Sequence, residues 1–221
     1  MKSYDVILFD LDGTLVDSGL GITNSVMYAL EKYGIEVTDR ATLYKFIGPP
    51  LHKSFEMFCD FSPEKAMEAV EYYREYYREK GVFEVTVYEG MEDTLKNLTS
   101  LGKTLIVTTS KPEYFAKQVL EHIGLAKYFK MIAGSNLDGT RTAKAEVISY
   151  ACEECNITDL SKVIIVGDRE HDVFGAKKIG IDSVGVLYGY GSEEELKNAG
   201  ATYLAKTPSD ILNQLFWNVR E

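Results

Sequence analysis

Hydrophobic residues fall into two rhythms along this chain. One is the short unbroken apolar run, seen in Val6-Ile7-Leu8-Phe9, Thr104-Leu105-Ile106-Val107 and Val163-Ile164-Ile165-Val166. Runs of this length, rich in β-branched residues and apolar at successive positions, predict strands buried on both faces. Weaker stretches of the same kind predict short strands at 131–134, 183–187 and 202–205. The other rhythm is helical, with helices expected at 112–123, 143–155, 173–179, 193–198 and 209–215. Strand and helix thus alternate from residue 103 onward. Such alternation predicts an α/β fold, a doubly wound parallel sheet covered by helices on both faces. Between the first strand and that region the pattern differs. Ile22, Val26, Ala29, Leu30 and Tyr33 recur at helical spacing, and Gly34 is placed to end the helix expected over 17–33. A break follows at Gly48-Pro49-Pro50, and Ser62-Pro63 offers an N-cap and a proline suited to the first position of a further helix. No strand is predicted between 17 and 87. The chain therefore reads as an α/β core of 1–16 and 88–221 with an all-helical domain, 17–87, inserted after the first strand.

The sequence has 221 residues, enough for one core and a modest insert. The formal net charge of -10 is spread along the chain, which argues against a nucleic-acid or anionic-membrane partner. An anionic substrate would then need a local positive site, either a metal or a few placed cations. No apolar run approaches membrane-spanning length, and the chain enters its first strand without the pattern of a signal peptide. Cys59, Cys152 and Cys155 form no disulfide framework. A cytoplasmic monomer with reduced thiols is expected.

Candidate chemistry begins where the first strand ends, at Asp10-Leu11-Asp12-Gly13-Thr14. Two carboxylates at the carboxyl end of a buried strand repel each other and lose hydration unless a cation lies between them. A turn at Gly13 can aim Asp10 and the Asp12 carbonyl at one point, and an all-oxygen site suits Mg2+. The plainer alternative is an Asp-rich turn with Thr14 capping a helix. Three later stretches bear on the choice. Thr109-Ser110-Lys111-Pro112 ends a strand with hydroxyls and a cation that can meet an anion; alone, these residues read as a helix cap and a solvated charge. Lys144 stands at a helix start, where a cation is mildly unfavourable and a phosphate or the Asp10 carboxylate would serve as counter-charge. Gly167-Asp168 ends another buried strand, with Asp172 four residues on. In an open parallel sheet the carboxyl ends of neighbouring strands converge on one crevice, so Asp168 is expected near Asp10.

Taken in order, Asp10-Leu11-Asp12-Gly13-Thr14, Thr109 with Ser110-Lys111-Pro112, Lys144, and Gly167-Asp168 with Asp172 resemble the four motifs of the haloacid dehalogenase-like hydrolases. The resemblance spans nearly the whole chain, and the helical insert resembles that superfamily's small cap. Asp17-Ser18 and Phe46-Ile47-Gly48-Pro49-Pro50-Leu51 look most like its phosphoglycolate-phosphatase branch. Lys144 is followed by Ala145 where proline is common, and Ser110 stands where that branch often has asparagine. The resemblance implies a phosphatase acting on a small phosphorylated metabolite, with Asp10 as nucleophile and Asp12 as general acid and base. It further implies Mg2+ held by Asp10, the Asp12 carbonyl and Asp168, with Asp172 behind them. Thr109, Lys144 and the loop of Gly13 and Thr14 would hold the transferring oxygens, with Ser110 and Lys111 beside them. In the cap, Lys45 and the Gly48 loop are the candidates for substrate selection, ahead of His52, Lys53 and Arg74. A phosphomutase of the β-phosphoglucomutase type, a 5'-nucleotidase or pyrophosphatase, and a non-catalytic phosphometabolite binder are the rival readings. The tyrosines at 72, 73, 76 and 77, and Cys152 with Cys155, read as packing rather than as ligands.

Overall fold

A computed structural model describes residues 3–216, which divide into two compact units, one of residues up to Asp17 and from Val87 on, the other Ser18–Thr86. The first unit is built on β1 (Val6–Phe9), β4 (Thr104–Pro112), β5 (Met131–Ser135), β6 (Val163–Gly167), β7 (Asp182–Val186) and β8 (Tyr203–Ala205). All pairings in this sheet are parallel, in the order β5-β4-β1-β6-β7-β8. The chain moves outward from β1 to β4 and β5, then returns past β1 to β6, β7 and β8. The order therefore reverses beside β1, and the crevice of this open sheet lies at the carboxyl ends of β1, β4 and β6. Two short strands, β2 (Val16–Asp17) and β3 (Thr86–Val87), mark where the chain leaves this unit and returns.

Helices α4 (Met91–Ser100), α5 (Glu113–His122), α6 (Lys144–Glu154), α7 (Glu170–Ile179), α8 (Glu193–Ala199) and α9 (Pro208–Phe216) complete the unit. Leu8, Ile106 and Ile165, side by side on the three central strands, share one buried cluster with Val147, Ile148 and Ala151 of α6 and Ala176 of α7. Ile7 and Phe9 alternate to the opposite face, where Phe9 meets the edge of the Phe129 ring. Cys152 belongs to the α6 cluster, and all three cysteines are free.

Two expectations about elements change. The strand ending at 109 continues to Pro112, whose extended backbone closes β4 with a register shift against β5. The following helix accordingly starts at Glu113. Helix α4 was not expected; its signal was Met91, Leu95 and Leu98 at helical spacing behind Gly90.

The second unit holds α1 (Gly19–Glu31), α2 (Leu51–Cys59) and α3 (Pro63–Glu79), with 3-10 helices at Arg40–Phe46 and Gly81–Phe83. Ser62 caps α3 through the Lys65 amide, with Pro63 behind it. Tyr73 and Tyr77 stack within α3, while Tyr72 meets Tyr33 and Tyr76 meets Tyr28. The tyrosine stripe is packing. No helix among the described residues is long and apolar enough to cross a membrane.

Leu8 is fully buried at the centre of the sheet. Leu8→Ala is expected to cost about 2–5 kcal/mol in urea denaturation, through lost burial and the cavity left behind. A loss well under 1 kcal/mol would mean that β1 is not in the core as described.

Candidate active site

Asp10 follows β1, its amide tied to the Val166 carbonyl at 2.9 Å on the neighbouring strand. Its side chain is nearly buried, and Oδ1 accepts a hydrogen bond from Lys144 Nζ at 2.7 Å. Lys144 is the first residue of α6 and is itself buried. Its ammonium donates hydrogen bonds to Asp10 and to the Thr108 carbonyl at 3.0 Å, and it forms an ion pair with Asp172 Oδ1 at 2.8 Å. Burial works to lower the Lys144 pKa, but the carboxylates of Asp10 and Asp172 outweigh it and hold the amine charged. The counter-charge expected for Lys144 is thus present twice over. Asp172 Oδ2 turns back to the Arg169 amide at 3.2 Å, so this carboxylate is held at both ends.

Asp168 follows β6 with no exposed surface. Its Oδ2 accepts the Tyr190 amide proton at 2.7 Å, and its Oδ1 is buried without a hydrogen-bond partner. Asp10, Asp168 and Asp172 each present an oxygen within 4.8 Å of the other two. Burial and the neighbouring carboxylates raise the Asp168 pKa well above the usual range. Asp10 is pushed up to about 6 by burial, against the lowering pull of Lys144. Three buried carboxylates share one lysine, so full ionisation leaves surplus negative charge with no protein group to absorb it. Hard oxygen donors, two of them (Asp168 Oδ1 and Asp172 Oδ1) without a hydrogen-bond partner, fit a divalent cation such as Mg2+. Backbone without side chains makes the approach possible. A Cβ on Gly13 would overlap the Asp168 carboxylate, and one on Gly167 would overlap that of Asp172. On Gly175 it would press on the Lys144 stem.

Asp12 stands apart from this group. Its two oxygens bind Lys111 Nζ at 2.5 and 2.7 Å, with both side chains largely buried. Lys111, read alone as a solvated charge, is therefore part of the site. Thr109 is buried, and its hydroxyl oxygen accepts the Lys111 amide at 3.2 Å, which leaves its own proton to donate. The Ser110 carbonyl is bound by Ser135 at 2.8 Å. The Gly13 amide is taken by Val16 and the Thr14 amide by Leu11, so these two residues shape the turn with their backbones. Gly13 has the positive φ that such a turn requires. The Thr14 hydroxyl is buried without a hydrogen-bond partner.

Lys45 and Gly48 belong to the second unit. There the Lys45 ammonium lies 4.5 Å from the centre of the Phe58 ring, and Gly48 takes a positive φ. Lys53 pairs with Glu56 and Arg74 with Glu71.

One segment was missed by sequence reasoning, Leu187-Tyr188-Gly189-Tyr190-Gly191 after β7. Besides the Tyr190 amide on Asp168, the Tyr188 hydroxyl donates to the Thr14 carbonyl at 3.1 Å and the Tyr190 hydroxyl to Asp17 at 2.5 Å. Added Cβ atoms on Gly189 and Gly191 would run into Asp168 and its neighbours. The signal was available: two glycines alternating with tyrosines beyond the strand next to that of Asp168 imply close backbone approach.

The sequence model of the haloacid dehalogenase-like hydrolases matches residues 7–186. A 5'-nucleotidase of Pseudomonas aeruginosa is 45% identical over 194 residues, covering 88% of this chain and 87% of the relative. A phosphoglycolate phosphatase of Colwellia psychrerythraea is 25% identical over 223 residues, covering 97% and 98%. The crystal structure of a predicted phosphatase from Clostridium acetobutylicum superposes with a TM-score of 0.93 at 50% identity, over 96% of this chain and 98% of that one. With the acids and lysines of three strand ends and the start of α6 gathered at one crevice, and with relatives of this kind, the chain belongs to the haloacid dehalogenase-like hydrolase family and falls among its phosphatases.

Proposed function

We propose that this protein is a Mg2+-dependent phosphatase that hydrolyses a small phosphomonoester through an aspartyl-phosphate on Asp10. The observation that carries the reading is the buried trio of Asp10, Asp168 and Asp172, whose oxygens lie within 4.8 Å of one another while Lys144 pairs with two of its members.

Asp10 attacks phosphorus, forming an acyl phosphate as the ester P–O bond breaks. Asp12 delivers a proton to the leaving oxygen, then takes one from the water that displaces phosphate from Asp10. Lys111 holds Asp12 in place beforehand; when Asp12 turns to the leaving oxygen, the ammonium is released toward the substrate's own oxygens. The Thr109 hydroxyl and Lys144 stabilise the transferring group. Mg2+ held by Asp10, Asp168 and the Asp12 carbonyl, with Asp172 behind, would supply the positive charge that lets a carboxylate approach a phosphate. Residues 18–86 act as the cap that limits water and selects substrate, with Lys45 and the Gly48 loop the first positions to test.

Among substrates, the phosphoglycolate-like motifs favoured phosphoglycolate. The 5'-nucleotidase, at 45% identity against 25% for the phosphoglycolate phosphatase, weighs more and moves nucleoside 5'-monophosphates to the front. A phosphate-ester panel with free phosphate as readout is expected to give highest kcat/KM on a nucleoside 5'-monophosphate. A sugar phosphate isomerised without phosphate release would instead make the protein a mutase.

Asp10→Asn is expected to fold but to lose about three orders of magnitude or more in turnover. Near-normal activity in that variant would end the aspartyl-phosphate mechanism. Chelator should abolish activity, and Mg2+ should restore it.

The metal-free protein also carries a pH signature. Asp10 at about 6, with Asp168 raised beside it, means that the folded state holds these protons more tightly than the unfolded chain. The contribution of Asp10 to stability is therefore present at low pH and lost as pH rises through about 6, and that of Asp168 is likewise lost on raising the pH. Thermal melts in chelator and in saturating Mg2+ should show a larger metal-induced rise at pH 7.5 than at pH 5. An equal rise at both would contradict the charge imbalance described for the site.

A further inference from the structure

We propose that Tyr190 is a positioning residue for the metal-binding carboxylate Asp168, and that Asp17 acts through it. The inference rests on the metal reading given above and extends it to two residues outside the four motifs.

Two of the contacts of Tyr190 point in different directions. Its amide donates to Asp168 Oδ2 at 2.7 Å, which fixes the carboxylate's rotation and leaves Oδ1 as the oxygen without a partner. Its hydroxyl donates to Asp17 Oδ1 at 2.5 Å, on the last residue of β2. The loop between these contacts is closely confined. Gly189 packs on the Gly13 carbonyl and on the Asp168 side chain, and Gly191 packs on the Asp168 carbonyl. Tyr188 ties its hydroxyl to the Thr14 carbonyl and sets its ring against that of Tyr88, 4.8 Å between centres. The loop therefore spans the first catalytic turn and Asp168 as one packed piece, and its outer end is tied down by the Tyr190 hydroxyl.

The Asp168 carboxylate has no exposed surface, and its hydrogen bond from the Tyr190 amide holds it from one side. A buried carboxylate held by a single donor can turn about its last torsion when that donor moves. Rotation would change how this carboxylate faces the oxygens of Asp10 and Asp172. The Tyr190–Asp17 bond restrains the amide from a distance, so the state of β2, where the chain passes into its helical insert, is coupled to cation affinity. Coupling of this kind is reciprocal: the cation must also steady β2.

Calorimetric titration of Mg2+ into four variants, without substrate, tests the inference. Tyr190→Phe and Asp17→Ala both lose the outer bond and are expected to raise the Mg2+ dissociation constant about three- to tenfold. Asp17→Asn removes the same charge as Asp17→Ala but keeps an acceptor, and is expected to stay within about twofold of wild type. The double variant Tyr190→Phe/Asp17→Ala should be no weaker than either single one, as for two residues sharing one bond. Hydrogen exchange should show Mg2+ protecting 14–18 in the wild type and in Asp17→Asn, with less protection in Tyr190→Phe. Equal weakening by Asp17→Ala and Asp17→Asn would reduce the effect to charge alone and overturn the proposal. So would a Tyr190→Phe variant with wild-type affinity. If the wild type itself binds no Mg2+, the metal reading falls first and this inference with it.

Discussion

Burying three carboxylates at the ends of neighbouring strands sets the terms for the rest of this molecule. Asp10, Asp168 and Asp172 lie within 4.8 Å of one another with one lysine between them, so the folded protein carries negative charge that it cannot neutralise from its own side chains. A deficit of this kind is unfavourable for folding alone and useful for binding a cation. The sheet supports the arrangement on either side. Apolar β1 and β6, flanked by β4 and β7, fix the strand ends in register, and the helices of the core exclude water from behind. The site is affordable because everything beneath it is apolar and tightly packed.

Glycine is the second condition. Gly13, Gly167 and Gly189 stand where a single added carbon would collide with a carboxylate, and Gly175 gives room to the Lys144 stem. The acids can meet because backbone, rather than side chain, fills the gaps between them. Lys144 is as closely fitted: its ammonium meets two carboxylates and a carbonyl, so an arginine, with its broad planar head, could not take over its position without rebuilding those three contacts.

Much of this was legible in the sequence because it depends on local signals. Continuous apolar runs ending on Asp10 and Asp168 announced buried strands with acids at one end, and Lys144 at a helix start asked for a counter-charge. What escaped depended on distant partners. Lys111 was placed beside the site by resemblance, but its pairing with Asp12, 99 residues away in the chain, was not foreseen, because it needs β4 to run on to Pro112. Tyr190 signals its role only through the glycines on either side of it, because its amide, and not its side chain, meets Asp168. Helix α4 was passed over because its apolar positions are few, and only packing against α9 and β4 makes them core. In the insert, periodicity revealed helices and the tyrosine stripe. It says nothing of which cations select a substrate, since that depends on loops rather than on repeats.

The chain departs from the core after Asp17 and rejoins it at Val87, and the Tyr88 amide on return bonds the Leu15 carbonyl on departure at 3.3 Å. Exit and entry are thus neighbours, closed by the core's own backbone. An excursion that begins and ends at one place can lengthen, shrink or be exchanged without shifting any strand of the sheet. Evolution could in this way redraw what the protein accepts while leaving untouched the machinery that performs the reaction.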